Sequence, residues 1–112
     1  EAYISASKAA DETCRHIWDT WASHDTPFYV WGAGALALRM VAASPHGAKN
    51  IVAFIDNNSR YHGRTIAGVP VIAPDALTDM PPHFILIASV GYADAIYADI
   101  TPRGLRNIVG AL

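Results

Sequence analysis

The sequence predicts a small doubly wound α/β domain, built on a parallel sheet of about five strands. The chain has 112 residues, of which 52% are hydrophobic and 16% are charged, enough apolar material for one core and too little charge for a disordered chain. Short apolar runs alternate with helical segments along the chain. Those runs lack a strict apolar–polar alternation, so we expect both faces of the sheet to be covered by helices.

The first predicted element is an amphipathic helix over residues 6–23. Cys14, Ile17, Trp18 and Trp21 follow the spacing of one helical face, which is the pattern of a face that packs on a core. We therefore interpret the two tryptophans as packing residues and Cys14 as a small buried hydrophobe. A single cysteine excludes an internal disulfide and is compatible with a reducing compartment.

Five strands are predicted from runs that are rich in β-branched and aromatic residues. They cover residues 28–31, 51–55, 69–72, 84–88 and 107–109. Pro70 cannot donate to a strand ladder, so the third strand is expected at an edge. Right-handed crossovers favour the order 3-2-1-4-5, which places a ligand crevice above the carboxyl ends of strands one and four.

The segments between these strands are predicted to contain the covering helices. The alanines and leucines of residues 33–43 favour a helix that ends at Pro45. One or two helical turns are expected after Pro74, and a further helix over residues 92–100 with Ile96 and Ile100 directed inward.

We predict a single domain, with the N-terminal helix in residues 1–26 and the α/β core in residues 27–112, because no linker or repeat divides the sequence. The first residue is Glu1 rather than Met, and we expect the chain to be part of a larger protein. A net charge of −2 gives no basic footprint for nucleic acid. The apolar stretches are shorter than the about 20 residues that a membrane-spanning helix needs, and no secretory signal is visible. Both observations favour a soluble, cytoplasmic protein. The sequence does not determine whether the protein forms homo-oligomers.

A glycine motif follows the first strand and opens the next helix. The residues from Gly32 to Ala37 fit the pattern G-x-G-x-x-G/A. Backbone N–H groups at a helix N-terminus bind phosphate, and glycine allows the ligand to approach them. We interpret Gly32, Ala33, Gly34 and Ala35 as a phosphate cradle for a nucleotide. The alternative is that a turn from strand to helix requires glycine whether or not a ligand binds.

Asp56 stands at the carboxyl end of the second strand, 22 residues after Gly34. A carboxylate at this place accepts hydrogen bonds from ribose hydroxyls and repels a 2′-phosphate, which favours NAD over NADP. The alternative is an Asx turn that leads into Asn57 and has no ligand. The loop cations at Arg60, His62 and Arg64 are interpreted as a solvated surface.

Ser89, Gly91 and Tyr92 follow the fourth strand and are expected to form the opposite wall of the crevice. Ser89 is a candidate for bonding a ligand hydroxyl or phosphate, Gly91 for exposing its backbone to the ligand, and Tyr92 for stacking on a base or sugar. The alternatives are a helix N-cap at Ser89, a permissive turn at Gly91 and a partly exposed core tyrosine.

No complete catalytic centre or metal site is expected on this chain. The sequence contains no Tyr-x-x-x-Lys pair at Tyr92, no G-x-S-x-G, no C-x-x-C and no H-E-x-x-H. The histidines lack the spacing of metal ligands and are interpreted as ordinary surface residues. They are His16, His24, His46, His62 and His83.

Four segments together resemble a known family, the Rossmann-like nucleotide-sugar domains of polysaccharide biosynthesis proteins. These segments are residues 30–34, 51–58, 63–71 and 85–89. The resemblance extends over residues 28–109. Similar modules stand at the N-termini of sugar-nucleotide epimerase/dehydratases and of sugar acyltransferases, and are appended to some sugar-modifying methyltransferases.

The resemblance implies nucleotide contact at Gly32, Ala33, Gly34 and Asp56, with Ser89 completing the pocket and NAD or a UDP-sugar as the ligand. Residues 35–37 lack the second glycine and the histidine of the acyltransferase relatives. The sequence therefore predicts a nucleotide- or nucleotide-sugar-binding module of a larger sugar-modifying enzyme. A degenerate domain that serves packing or dimerisation is the alternative, and an NAD-sensing or redox domain is a third reading.

Overall fold

Six strands form one sheet within residues 2–89, 93–100 and 109–112, the part of the chain that the computed structural model describes. In chain order they are β1 Phe28–Trp31, β2 Ile51–Ile55, β3 Thr65–Ile66, β4 Val69–Ile72, β5 Phe84–Ile87 and β6 Val109–Ala111. Their order across the sheet is β3-β4-β2-β1-β5-β6. The helices are α1 Ala2–Ser23, α2 Ala35–Ala43 and α3 Ala93–Ile100, with 3₁₀ helices at Ser59–Tyr61 and Pro74–Asp79.

The doubly wound parallel sheet is confirmed. β1 lies at its centre and pairs in parallel with both β2 and β5, while β4 and β6 continue the parallel pairing outward. The five longer strands therefore stand in the predicted order 3-2-1-4-5. β1 is the point at which the chain reverses its direction of progress across the sheet.

The third predicted strand does not stand at the edge, because a two-residue strand covers it. β3 pairs antiparallel with β4, with Thr65 opposite Pro70. Ala67 and Gly68 join the two strands at φ values of 51° and 81°, and positive φ at both turn residues suits a tight hairpin. The proline is thus accommodated in the strand that pairs with the edge strand.

Some element boundaries also differ from the sequence prediction. Helix α2 begins at Ala35 rather than at residue 33, because Gly32 has a φ of 122° and Gly34 is extended. β5 ends at Ile87. The last strand begins at Val109, and residues 107 and 108 of the predicted strand lie outside the described residues, as does the predicted helix start at Tyr92.

The two faces of the sheet pack separate cores because side chains alternate along each strand. On β1, Phe28 and Val30 face one core, and Tyr29 and Trp31 face the other. The first core also contains residues of α1 and α2, such as Trp18, Leu36, Ala37 and Met40. The second core receives Leu77, Ile100 and, partly buried, Ile96, as predicted for α3.

Helix α1 is joined to the sheet by its last two turns. The Trp18 side chain is fully buried, and its indole N–H donates to the Gly47 carbonyl at 3.0 Å. The ring of Trp21 stacks on Phe84 with 3.8 Å between the centroids. The packing role predicted for both tryptophans is confirmed, while Cys14 is only half-buried against the same core.

Across the described residues, every helix is too short or too polar to cross a lipid bilayer.

Candidate functional site

A cleft of about 450 Å³ opens at the carboxyl ends of β1, β2 and β5. Ligands of doubly wound sheets bind at this end, where the strand order reverses, and the volume is in the range of small-molecule sites. The residues that line it come from the glycine loop, helix α2, the loop after β2, the end of β5 and helix α3. They are Trp31, Gly32, Gly34, Ala35, Leu36, Arg39, Asp56, Asn57, Ala88, Ser89 and Ile96.

Gly32 is required by the fold itself. Its φ of 122° is one that L side chains rarely adopt, and a Cβ at this position would lie 2.5 Å from the Ala88 carbonyl oxygen. Its N–H donates to the Ile55 carbonyl at 2.6 Å. The turn reading of the sequence therefore accounts for Gly32 without any ligand.

Gly34 has no such requirement. Its φ of −88° and ψ of −158° are extended values that any residue adopts. Beyond its own neighbours in the chain, no heavy atom of the described residues lies within 4 Å of the position that its Cβ would take. The turn reading therefore does not explain Gly34, which lines the cleft and keeps the space in front of helix α2 open.

The N-terminus of α2 faces this space without a cap from the described part of the chain. Gly34 is the N-cap residue and has no side chain to accept from the first-turn amides, and the first turn carries no acidic residue. The first intrahelical bond runs from the Leu38 N–H to the Gly34 carbonyl at 3.2 Å. The preceding amides thus have no acceptor within the helix, and this end of the helix dipole favours an anion.

The Asp56 carboxylate is fixed by two backbone groups. One oxygen accepts from the Ala33 N–H at 2.9 Å, and the other accepts from the Asn58 N–H at 2.8 Å. The second bond is the Asx turn that the sequence left as an alternative. An ionised carboxylate has about four acceptor positions, so about two remain for a ligand. The Ala33 amide points to Asp56, so it does not serve the phosphate cradle that the sequence predicts.

The loop after β2 folds back on Asp56. The Asn58 side chain accepts from the Arg60 N–H at 3.0 Å, and the His62 Nε2 lies 2.6 Å from the Asp56 carbonyl oxygen. The Asp56 N–H donates to Ile72 at 3.2 Å. His62 thus has a structural contact that the sequence did not reveal, whereas Arg60 and Arg64 are exposed and do not line the cleft.

On the opposite wall, Ser89 is half-buried and lines the cleft beside Ala88. Gly91 and Tyr92 lie outside the described residues.

The Asn57 side chain donates to Asp99 of α3 at 3.1 Å, which connects the loop after β2 to α3.

Six lining residues were not among the candidates predicted from the sequence: Trp31, Leu36, Arg39, Asn57, Ala88 and Ile96. Helical spacing could have indicated Arg39, which stands four residues after Ala35 on the same helix face. Asn57 was read only as a turn residue, since nothing in the sequence places it next to α3.

By its fold and the place of its cleft, the protein is a Rossmann-like α/β domain. Within that class it belongs to the C2185-like family, whose N-terminal domain matches residues 26–107. Helix α1 precedes the matched region. None of the curated proteins matches the sequence.

Two examples among the solved structures show the same fold. The chain is similar to UDP-D-quinovosamine 4-dehydrogenase from Vibrio fischeri, with a TM-score of 0.60, 18% identity, and coverage of 80% of this chain and 79% of that chain. It is also similar to RSP, a Rex-family repressor, with a TM-score of 0.56, 15% identity, and coverage of 81% of this chain and 54% of the repressor. At identities this low, the likeness shows a shared fold and nothing more.

Proposed function

We propose that the protein is a nucleotide- or nucleotide-sugar-binding module, and that the cleft at the carboxyl end of the sheet is its binding site. The module belongs to a larger sugar-modifying enzyme of polysaccharide biosynthesis, and catalysis takes place on other domains of that enzyme. The ligand is NAD or a UDP-sugar.

The observation that carries this proposal is the open position of Gly34. Neither the backbone conformation nor a neighbouring atom of the described chain requires glycine there. A side chain at this position would occupy space in front of an uncapped helix N-terminus, where phosphate binds best. A ligand that enters this space accounts for the glycine.

In this proposal the phosphate accepts from the amides of Gly34 and the first turn of α2, beginning with Ala35. Gly32 and Ala33 shape the loop, since their own amides donate to Ile55 and Asp56. The remaining acceptor positions of Asp56 bind ribose hydroxyls.

The opposite wall has a supporting role in the proposal. Ser89 bonds a hydroxyl or phosphate of the ligand, and the sequence prediction adds Gly91 and Tyr92 as further ligand contacts. The likeness to an enzyme whose substrate class is a UDP-sugar supports this choice of ligand.

A non-binding structural module is the second candidate, and one observation favours it. Ala33 and Asp56 satisfy each other by a hydrogen bond at 2.9 Å with no ligand between them, so the glycine loop holds its shape without a nucleotide. In that case the cleft would be a remnant, and the fold would serve packing or dimerisation.

Thermal unfolding with a ligand panel separates the two candidates. The panel contains NAD, UDP, a UDP-amino sugar, S-adenosylmethionine and coenzyme A. A ligand at about 100 times its Kd stabilises the native state by about 2.7 kcal/mol, which for a domain of this size raises Tm by on the order of ten degrees. A shift with NAD, UDP or the UDP-amino sugar supports binding, whereas a flat panel favours the structural module.

The variant Gly34→Asp locates the site. Aspartate is a good N-cap residue, so the variant should fold, while its carboxylate takes the place of the phosphate. We expect the ligand-induced shift to disappear. Thr78→Asp is the control, because it adds the same charge at an exposed position that does not line the cleft, and it should keep the shift.

A further inference from the structure

Arg39 lies on the α2 wall of the cleft, one turn beyond the glycine loop. Ala35 and Arg39 are four residues apart and share one face of the helix, about 6 Å apart along its axis. Long side chains on a helix lean back toward its N-terminus. The guanidinium therefore belongs to the same wall as the open first-turn amides.

The charges of the cleft are arranged along the glycine loop and α2. Among the described lining residues, Arg39 alone is positive and Asp56 alone is negative. Asp56 is held at Ala33, before the helix begins, and Arg39 stands in the second turn. A ligand with neutral hydroxyls at one end and several negative charges at the other matches this arrangement.

Two anion-binding groups follow each other on this wall. The first is the end of α2 at Gly34, which has no side-chain cap, and the second is Arg39, whose guanidinium is the kind of group that binds phosphates through two parallel hydrogen bonds. A single phosphate engages only the helix amides. Two linked phosphates engage both groups.

We propose that Arg39 binds the second phosphate of a nucleoside diphosphate group and so selects diphosphate ligands over nucleoside monophosphates. This role rests on the proposed function, because it requires the first phosphate to lie at the N-terminus of α2.

Equilibrium titrations with matched mono- and diphosphates test the role of Arg39. The probes are UMP and UDP, and AMP and ADP, each titrated into the wild-type chain, Arg39→Gln, Arg39→Lys and Arg60→Gln. Arg39 is exposed, so its variants should keep the fold, which urea denaturation verifies. Arg60→Gln removes the same charge from an exposed loop position outside the lining.

We expect Arg39→Gln to weaken diphosphate binding by about ten- to a hundredfold, as for a lost charge-assisted hydrogen bond. Monophosphate binding should weaken by less than about threefold, through long-range charge alone. Arg39→Lys keeps the charge but not the paired donors and should give an intermediate loss. Arg60→Gln should bind like the wild type.

Two results would overturn the role of Arg39 while leaving the proposed function intact. One is diphosphate binding that Arg39→Gln does not weaken, and the other is an equal loss for mono- and diphosphates. If the wild-type chain binds none of the four nucleotides and none of the NAD and UDP-sugar ligands, the proposed function fails, and the role of Arg39 fails with it.

Discussion

The Asp56 carboxylate accepts a hydrogen bond from the Ala33 backbone N–H at 2.9 Å, and this bond joins the loop after β2 to the loop after β1. Its other oxygen accepts from Asn58 at 2.8 Å. Asp56 therefore stabilises the cleft before any ligand arrives. The sequence left two alternatives for Asp56, ribose binding or an Asx turn. The structure shows the turn, and the carboxylate still has acceptor positions for a ligand in the cleft.

Replacing Asp56 should destabilise the chain even without ligand. Asp56→Ala removes the acceptor of two backbone N–H groups, and we expect a loss of about 1–3 kcal/mol in the free energy of unfolding. Asp56→Asn keeps one carbonyl oxygen and should cost less. Urea denaturation of both variants measures these losses, and an unchanged midpoint in Asp56→Ala would show that the two bonds contribute nothing to stability.

The two motif glycines should respond in opposite ways to a methyl group. Gly32→Ala forces a strained φ and an overlap with the Ala88 carbonyl oxygen, and should cost at least about 2 kcal/mol. Gly34→Ala meets open space and should cost less than about 1 kcal/mol, the scale of an N-cap change. Chemical denaturation of the pair checks this. Equal costs would contradict the distinction between a glycine of the fold and a glycine of the cleft.

Helix α1 should belong to the same cooperative unit as the sheet, although it precedes the region that matches the family. Trp18 is fully buried and donates to the Gly47 carbonyl. Trp18→Ala should therefore destabilise the chain by about 3–5 kcal/mol, measured by urea denaturation. The matched control is Thr20→Ala on the exposed side of the helix. A loss below about 1 kcal/mol for Trp18→Ala would contradict a single unit over α1 and the core.

Tyr29 should make stability fall in alkali. Burial raises the pKa of its phenol above the ordinary value of 10.0, so above that pH the unfolded chain releases a proton that the native state retains. The contribution of the neutral Tyr29 phenol to the free energy of unfolding is therefore fully present below pH 10. It is lost as the pH rises from there through the raised pKa of the native state.

The variant Tyr29→Phe tests this assignment. It should lose about 1 kcal/mol at neutral pH, because the hydroxyl donates to the Pro81 carbonyl at 2.6 Å. Between pH 7 and about 11 its stability should then fall less steeply than that of the wild type, in a series of urea denaturations. Parallel slopes for the two proteins would contradict the assignment to Tyr29.

The sheet was predictable because most of its strands have a clear sequence pattern. The runs of β1, β2 and β5 are continuous and apolar, and helical segments separate them, which together with crossover handedness determines the order. β3 was missed because a strand of two residues, Thr65–Ile66, carries no measurable period. Its pairing depends on the hairpin turn at Ala67 and Gly68, which lies inside a polar segment.

The site was predictable where it depends on a local motif, and not where it depends on contacts between distant elements. The glycine loop and Asp56 follow directly after strands, so their arrival at one end of the sheet follows from the topology. The contact between Asn57 and Asp99 joins residues 42 positions apart. The hydrogen bond from the Ala33 N–H to Asp56 could likewise be found only in the three-dimensional structure. The motif alone predicts that this N–H donates to a phosphate.

A ¹H–¹⁵N NMR titration of the chain with UDP, the UDP-amino sugar and NAD tests the nucleotide site at the N-terminus of α2, because it reports on each backbone amide separately. We predict that a binding ligand shifts the amides of Gly34, Ala35 and Leu36 most. The amides of a second surface groove should stay unchanged; it is lined by Glu12, Arg15, His16, Asp19, Ala43 and Pro45. Shifts confined to that groove, or no shift with any ligand at millimolar concentration, would contradict a nucleotide site at the N-terminus of α2.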